Sequence, residues 1–306
     1  MPVLLAIGTG KGLFLARSED DRTSWTVSGP HFPMTGVYAV AIDKRRGAPR
    51  LLAGVTSPHF GPSVATSDDL GVSWWEPERA PLAFPEDTGV ALERVWQLAP
   101  GPADQPDRVY AGVQPSALFR SDDGGRTYEL VRGLWDHPHR EHWDAGAGGQ
   151  AVHTVLPHPV DIATAVVAMS TGGVYRTVDR GATWTATNTG IRAYFLPDQF
   201  PEFGQCVHKV ARDAADPDRL YAQNHHGVYR SDDGGATWRS IADGLPREPY
   251  YPAVLRDAMC ADDAEPAGIY FGTRSGEVYA SRDEGDSWAR VAAHLPDVLC
   301  VRAAVV

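Results

Sequence analysis

The sequence predicts an all-β protein, a six-bladed β-propeller with four antiparallel strands per blade. Three observations predict it. An eight-residue phrase starts at residues 18, 67, 121, 177, 231 and 281, a spacing of about 50 residues, the size of stacked supersecondary units that share one core. Between successive phrases run short segments rich in β-branched and aromatic residues, separated by Gly, Pro, Asp and Asn turns. The two ends complement each other: residues 3–28 supply strands two to four of a blade, and Val298–Val305 supplies the missing first strand.

Taken in order, Met1-Pro-Val-Leu-Leu-Ala-Ile reads as a strand rather than a secretion signal, because no basic region precedes its short apolar run. The Gly8-Thr-Gly-Lys-Gly12 run that follows is a turn; it lacks the spacing of a phosphate loop. The fifth repeat shows the blade plan. Cys206–Ala211 is strand one, Arg219–Ala222 strand two, Val228–Arg230 strand three and Thr237–Ile241 strand four. The phrase, clearest as Ser121-Asp-Asp-Gly-Gly-Arg-Thr-Tyr128 and Ser231-Asp-Asp-Gly-Gly-Ala-Thr-Trp238, is the hairpin between strands three and four. Its aspartate bonds loop amides, its fifth residue takes a positive φ, and its aromatic packs between blades. The first copy, Ser18–Trp25, has Arg22 where the others have glycine. Pairing of the C-terminal strand with the N-terminal blade removes two sheet edges and closes the ring. The expected organisation is one domain, 1–306, with no linker.

Composition bounds function. The chain has 306 residues, 43% of them hydrophobic, and a net charge of −11. No basic patch stands out, which argues against nucleic acid. No apolar stretch has the length of a membrane span. Cys206, Cys260 and Cys300 are an odd number, scattered over repeats, so a reducing, cytoplasmic location is expected. Cys206 reads as buried and inert.

The phrase Ser/Thr-x-Asp-x-Gly-x-Thr/Ser-Trp resembles the Asp-box, or bacterial neuraminidase repeat, of sialidases, other glycosidases, sorting receptors and photosystem assembly factors. Gly148-Gly-Gln-Ala-Val-His-Thr154, Gly204-Gln-Cys-Val-His-Lys209 and Leu220–Ser231 resemble a narrower group of bacterial sialidase-like or glycosyl-hydrolase-like propellers. The resemblance covers the whole chain and implies the fold; it implies an activity weakly, because fold does not carry function. A sialidase would open with Arg-Ile-Pro, and Gly12–Arg17 lacks it. Arg94, Arg256 and Arg274, and the tyrosines Tyr194, Tyr250 and Tyr251, sit in no sialidase motif, so sialidase activity itself is not expected.

Strand order places the phrase hairpins on one face, here the bottom. The four-to-one crossings Pro77–Leu92, Gly133–Gly149 and Asn188–Gly204 lie on the top, where long loops on a rigid scaffold carry function. Ten of the 11 histidines fall in crossings, top turns or inner strands; His158 is the exception. Tyr38, Trp96, His153, His208, Arg256 and Cys300 are expected to share one inner-strand register, and residues that break a repeat are where a site lies. The candidate ligand-binding set is therefore Trp96, Gln150, His153, Gln205, His208, Asn224, His225 and Arg256.

Three readings follow. The leading one is a propeller binding a small polar ligand, plausibly carbohydrate, and hydrolysing it if two carboxylates face each other across roughly 5–10 Å; the candidates are Glu93, Glu141, Asp144 and Glu202, with Asp198 and Glu248 behind them. The second is a non-catalytic binding or assembly scaffold, with a protein partner, whose Phe195–Phe203 crossing exposes its aromatics. The third is a divalent metal held by His153, His208 and His225. No cofactor is implied with certainty. For His153 and His208 the plainer expectation is packing between blades, with ring nitrogens satisfied by a neighbouring strand. Trp96, Trp135 and Trp143 would form a sugar-stacking surface if exposed; buried packing is the expectation.

Overall fold

The structure, a computed structural model, describes residues 2–19, 22–75, 77–145, 149–193, 195–213, 216–224, 227–240, 257–262, 264, 266, 268–283 and 287–306. It is a six-bladed β-propeller: five sheets have four antiparallel strands and one has three. The first blade runs Val298–Val305, Val3–Thr9, Gly12–Ser18, Thr26–His31, so the last strand of the chain does pair with the first. The second blade is Ala39–Asp43, Arg50–Ser57, Gly61–Ser67, with a fourth strand reduced to one bridge between Thr66 and Trp75.

Contacts group the chain into two compact units, Met1–Ala80 with Tyr250–Val306, and Pro81–Pro249. In the first unit, strand Val3–Thr9 is buried on both faces. Strand periodicity explains the sorting. Val3, Leu5 and Ile7 join Tyr270 and Val278 of the sixth blade in one core. Leu4 and Ala6 join Val40 and Leu51 of the second blade in another. In the second unit, strand Ala165–Met169 divides its faces the same way. Val167 and Met169 pack with Tyr110 and Leu118, whereas Val166 and Ala168 pack with Val210 and Tyr229. A strand sandwiched between neighbouring blades reads as a continuous apolar run for this reason.

The phrase hairpins repeat one hydrogen-bond pattern. In the fourth copy Thr177 Oγ1 donates to Asp179 at 2.7 Å and accepts from Gly181 N at 2.9 Å, while Asp179 accepts from Thr183 N at 2.9 Å and from Thr183 Oγ1 at 2.5 Å. The same set recurs around Asp69, Asp123 and Asp233. Residues four and five of the phrase turn left-handed: Gly124 and Gly125 have φ 84° and 89°, and Leu70 and Arg180 accept φ 55° and 64° without being glycine. Arg22 adopts φ 66° in the first copy, so the departure from glycine strains the backbone and leaves the turn type unchanged.

Hydrogen bonds from Ser73, Thr183 and Ser287 hold the carboxyls of Asp69, Asp179 and Asp283 at about 2, below the ordinary 3.8. A lowered carboxylate pKa contributes stability that is complete above the unfolded value and lost as pH falls through the folded one. The melting temperature should therefore drop as pH falls from 4 towards 2. Asp179→Asn, which keeps an acceptor and no charge, should flatten part of that slope in thermal melts; an unchanged slope would remove the hairpins as its cause.

Candidate functional site

The inner strands of blades three, four and five each carry a β-bulge at one residue. The ladder passes from Val95 to Gln97, from Val152 to Thr154 and from Val207 to Lys209, leaving Trp96, His153 and His208 as the extra residues. A bulge re-aims one side chain without breaking the blade. Tyr38, which precedes Ala39 opposite Gly54, holds the same place in blade two. The other two blades correct the expected register by one residue. In blade one the residue skipped is Leu299, between Val298 opposite Thr9 and Cys300 opposite Gly8. In blade six Ala258 O accepts from Gly272 N, so Asp257 takes the position expected of Arg256, which lies outside the described residues. A bulge adds one residue to one strand only, so counting from the phrase misplaces it.

Asp257 is built in. Its carboxylate lies 3.2 Å from Arg302 Nη2, and its carbonyl accepts from Val301 N at 2.7 Å and Arg302 Nη1 at 3.1 Å. Cys300 is fully buried, and burial pushes its thiol up to about 12. Cys206 is half-buried rather than buried.

His153 is buried, and both ring nitrogens are committed. Nε2–H donates to Val207 O of the neighbouring inner strand at 2.9 Å, and Nδ1 accepts from Thr154 Oγ1 at 3.1 Å. It ties blade four to blade five, and a metal set that uses His153 does not fit this geometry. Among the described residues no group of three His, Cys, Asp or Glu side chains is placed to hold a metal ion. His208 is half-buried. His225, and with it Glu248, Tyr194, Tyr250 and Tyr251, lies outside the described residues.

The remaining candidates separate into two places in the second unit. Glu93, exposed, accepts from Gln114 Nε2 at 2.6 Å, and Gln114 Oε1 accepts from Trp96 Nε1 at 2.9 Å, with the Arg94 guanidinium 5.4 Å from the centre of the Trp96 ring. The other place is where the Gly133–Gly149 and Asn188–Gly204 crossings meet. Here the sequence reading missed the organising residue. Tyr175 sits at a repeated strand position and looks like ordinary core, yet its hydroxyl accepts from Trp143 Nε1 at 2.8 Å and lies 3.1 Å from His139 Nδ1. On the other side of the ring, His139 Nε2 lies 3.8 Å from the Glu202 carboxylate. His139 stacks on Phe203 at 4.0 Å, and His137 packs edge-on to Tyr175 at 5.2 Å. Burial, then the neighbouring His139, pushes the His137 pKa down. Residues 137–143 of the Gly133–Gly149 crossing are thus anchored on Tyr175. Trp135 and Trp143 are buried, as expected, whereas Trp96 is half-buried.

Gln150 Nε2 donates to Trp143 O at 2.9 Å. Gln205, fully buried, donates from Nε2 to Pro201 O at 2.6 Å, and Asn188 Nδ2 donates to Glu202 O at 2.9 Å. Asn224 Nδ2 donates to Arg192 O at 2.9 Å. The amide candidates therefore brace the crossings from beneath. Glu141, Asp144 and Asp198 are exposed; Asp144 accepts from Thr171 Oγ1 through its backbone carbonyl, and Asp198 caps Phe200 N at 2.9 Å.

Fold and site together define a β-propeller with a braced loop face. No family model matches the chain. A xyloglucanase of Hypocrea jecorina (strain QM6a) is 29% identical over 160 residues, 48% of this chain and 18% of the relative. Xyloglucanase Xgh74A of Acetivibrio thermocellus is 24% identical over 59% of this chain and 22% of its own length. Vacuolar protein sorting/targeting protein 10 of Emericella nidulans is 30% identical over 34% of this chain and 7% of the relative. The chain thus spans about a fifth, 18% and 22%, of the two xyloglucanases. Among solved structures, one from a nidogen/laminin complex superposes with a TM-score of 0.58 at 12% identity, covering 100% of this chain and 99% of that one. An ancestral GH74 enzyme gives 0.50 at 16% identity, over 83% of this chain and 31% of that one. YCF48 from Cyanidioschyzon merolae gives 0.51 at 14% identity, over 85% and 87%. These structural likenesses establish the propeller fold, and part of the chain is similar in sequence to glycoside-hydrolase propellers. No helix among the described residues is long and apolar enough to cross a membrane.

Proposed function

We propose that this propeller is a binding scaffold that presents the Asn188–Gly204 crossing to a protein partner. One observation carries the reading. The crossing is braced from beneath by Gln205 and Asn188, and across itself by Ala193 N to Gln199 O at 2.8 Å, while Phe195 and Phe200 stay 44% and 60% exposed at its tip. An ordered loop loses little conformational entropy on binding, and exposed aromatics are the side chains that anchor interfaces. Of the aromatics expected to be exposed on this crossing, Phe195 and Phe200 are exposed, whereas Phe203 is half-buried under His139.

A second reading keeps the carbohydrate ligand. Glu202 is an exposed carboxylate at the end of the Trp143–Tyr175–His139 chain, and the partial likeness to xyloglucanases supports a sugar. One experiment separates the two. A photoreactive p-benzoylphenylalanine replacing Phe200 should give a discrete cross-linked adduct in cells, lost when Phe195 is changed to Ser. The same residue replacing Val160, 77% exposed in a bottom turn, should give none. Equal labelling at both positions refutes the scaffold. Release of reducing ends from xyloglucan, abolished by Glu202→Gln, would establish the second reading in its place.

A further inference from the structure

The second copy of the phrase ends on Trp74, and its indole meets a histidine. Trp74 Nε1 donates to His31 Nδ1 at 3.2 Å, across 43 residues of sequence. The bond joins the last strand of the first blade to the hairpin of the second, both within the first unit. In the fifth copy the same indole, that of Trp238, donates to a backbone carbonyl, Thr187 O, which does not titrate. The second copy has a titratable acceptor in that place.

The indole fixes the state of the ring. An indole N–H only donates, so Nδ1 carries no proton and the neutral imidazole holds its hydrogen on Nε2. That Nε2 is buried with no hydrogen bond among the described residues. A second proton can enter only at Nδ1, where it would face the indole N–H donor to donor. Burial already lowers the His31 pKa from 6.5. Leu13 opposes His31 on the paired strand. Of the ionisable groups on the elements around the ring, Lys11 and Asp68 are exposed, Arg17 pairs with Glu19, and Asp69 accepts from Ser67 and Ser73. Glu76, two residues beyond Trp74, lies outside the described residues.

The bond also steadies a strained segment. Phe32 packs edge-on to Trp74 at 4.9 Å. Phe32 and Met34 hold φ 52° and 67°, left-handed conformations that persist in residues other than glycine only when their surroundings impose them. Met34 N donates to Lys11 O at 3.1 Å, and Thr35 N to Phe32 O at 3.3 Å.

We propose that His31 is a pH-operated latch between the first two blades: protonation of Nδ1 breaks the Trp74 bond and loosens residues 32–36. The closed latch requires the neutral ring. Its contribution is therefore complete above pH 6.5 and is lost as pH falls below that value towards the lowered folded one. The latch is independent of the Asn188–Gly204 crossing, which belongs to the other unit.

The Trp74 indole N–H resonance, identified by its absence from Trp74→Phe, tests this between about pH 8 and pH 5, the span of histidine titration. In the native protein the indole should be protected from hydrogen exchange at the upper end and lose that protection as pH falls. Protection of the Met34 and Thr35 amides should drop with it by about 3–10-fold, the worth of one hydrogen bond. The Trp238 indole, bonded to Thr187 O, should keep its protection. His31→Asn supplies an acceptor near the Nδ1 position that takes up no proton in this range, so it should hold the latch closed throughout. His31→Leu should leave it open throughout. The inference is overturned by a Trp74 indole whose protection is constant with pH, by a transition that survives His31→Asn, or by one that vanishes in Glu76→Gln.

Discussion

Asp262→Ala destabilises the protein by about 3–5 kcal/mol, the cost of leaving one member of a buried ion pair uncompensated. Asp262 accepts from four donors: Gly268 N at 2.7 Å, Ala264 N at 3.1 Å, Tyr270 Oη at 2.6 Å and Arg22 Nη1 at 3.3 Å. The side chains of Arg22 and Asp262 are 5% and 0% exposed, so water does not replace the lost carboxylate. Arg22 is the residue that departs from glycine in the first copy of the phrase. It trades a strained φ for a contact that joins the first blade's hairpin to the sixth blade. The double variant Arg22→Gly with Asp262→Ala should accordingly be more stable than Asp262→Ala alone, because glycine accepts the positive φ and the stranded guanidinium is gone. Urea unfolding of the native protein, the two single variants and the double variant measures this. A double variant that loses the sum of the single losses would show that the two side chains do not act as a pair.

Gly190→Ala costs about 3 kcal/mol or more. Gly190 has φ 94°, and a Cβ there would lie 1.9 Å from Trp238 O. That oxygen belongs to a backbone held in place, since Trp238 N donates to Thr189 O and Trp238 Nε1 to Thr187 O, each at 2.9 Å. Relief therefore has to come from the crossing, which would carry Phe195 and Phe200 away from their positions. Loss of the Phe200 cross-link together with a lowered melting temperature is the expected result. Gly10→Ala is the control: nothing lies within 4 Å of its Cβ position, and it should be close to neutral. Native stability in Gly190→Ala would mean that the crossing yields without cost.

Much of the fold was legible because the phrase is a local structure. Its first-position Ser or Thr, its Asp, its fifth-position glycine and its seventh-position Thr or Ser bond to one another, four residues apart at most, so they read the same in every copy. The strand faces were legible for a similar reason, since alternation follows from the pleat alone. The site was legible in part. The Asn188–Gly204 crossing and its aromatics stood out as a long loop, and His153 was weighed as a residue packed between blades, where its ring bonds Val207 O. Tyr175 was hidden, because a tyrosine in a repeated strand position carries no sign of the Trp143 and His139 that reach it from 32 and 36 residues away.

By itself, then, the sequence determined the blade count, the hairpin chemistry and the strand that closes the ring, because each rests on short-range hydrogen bonding or on residue periodicity. Only the tertiary structure decided which side chain occupies each bulge and which amides brace the crossings. Those outcomes depend on contacts between residues 14 to 240 positions apart, such as Asn188 with Glu202, His153 with Val207 and Arg22 with Asp262. A repeat aligns such residues in sequence, but the packing between blades sets which of them meet.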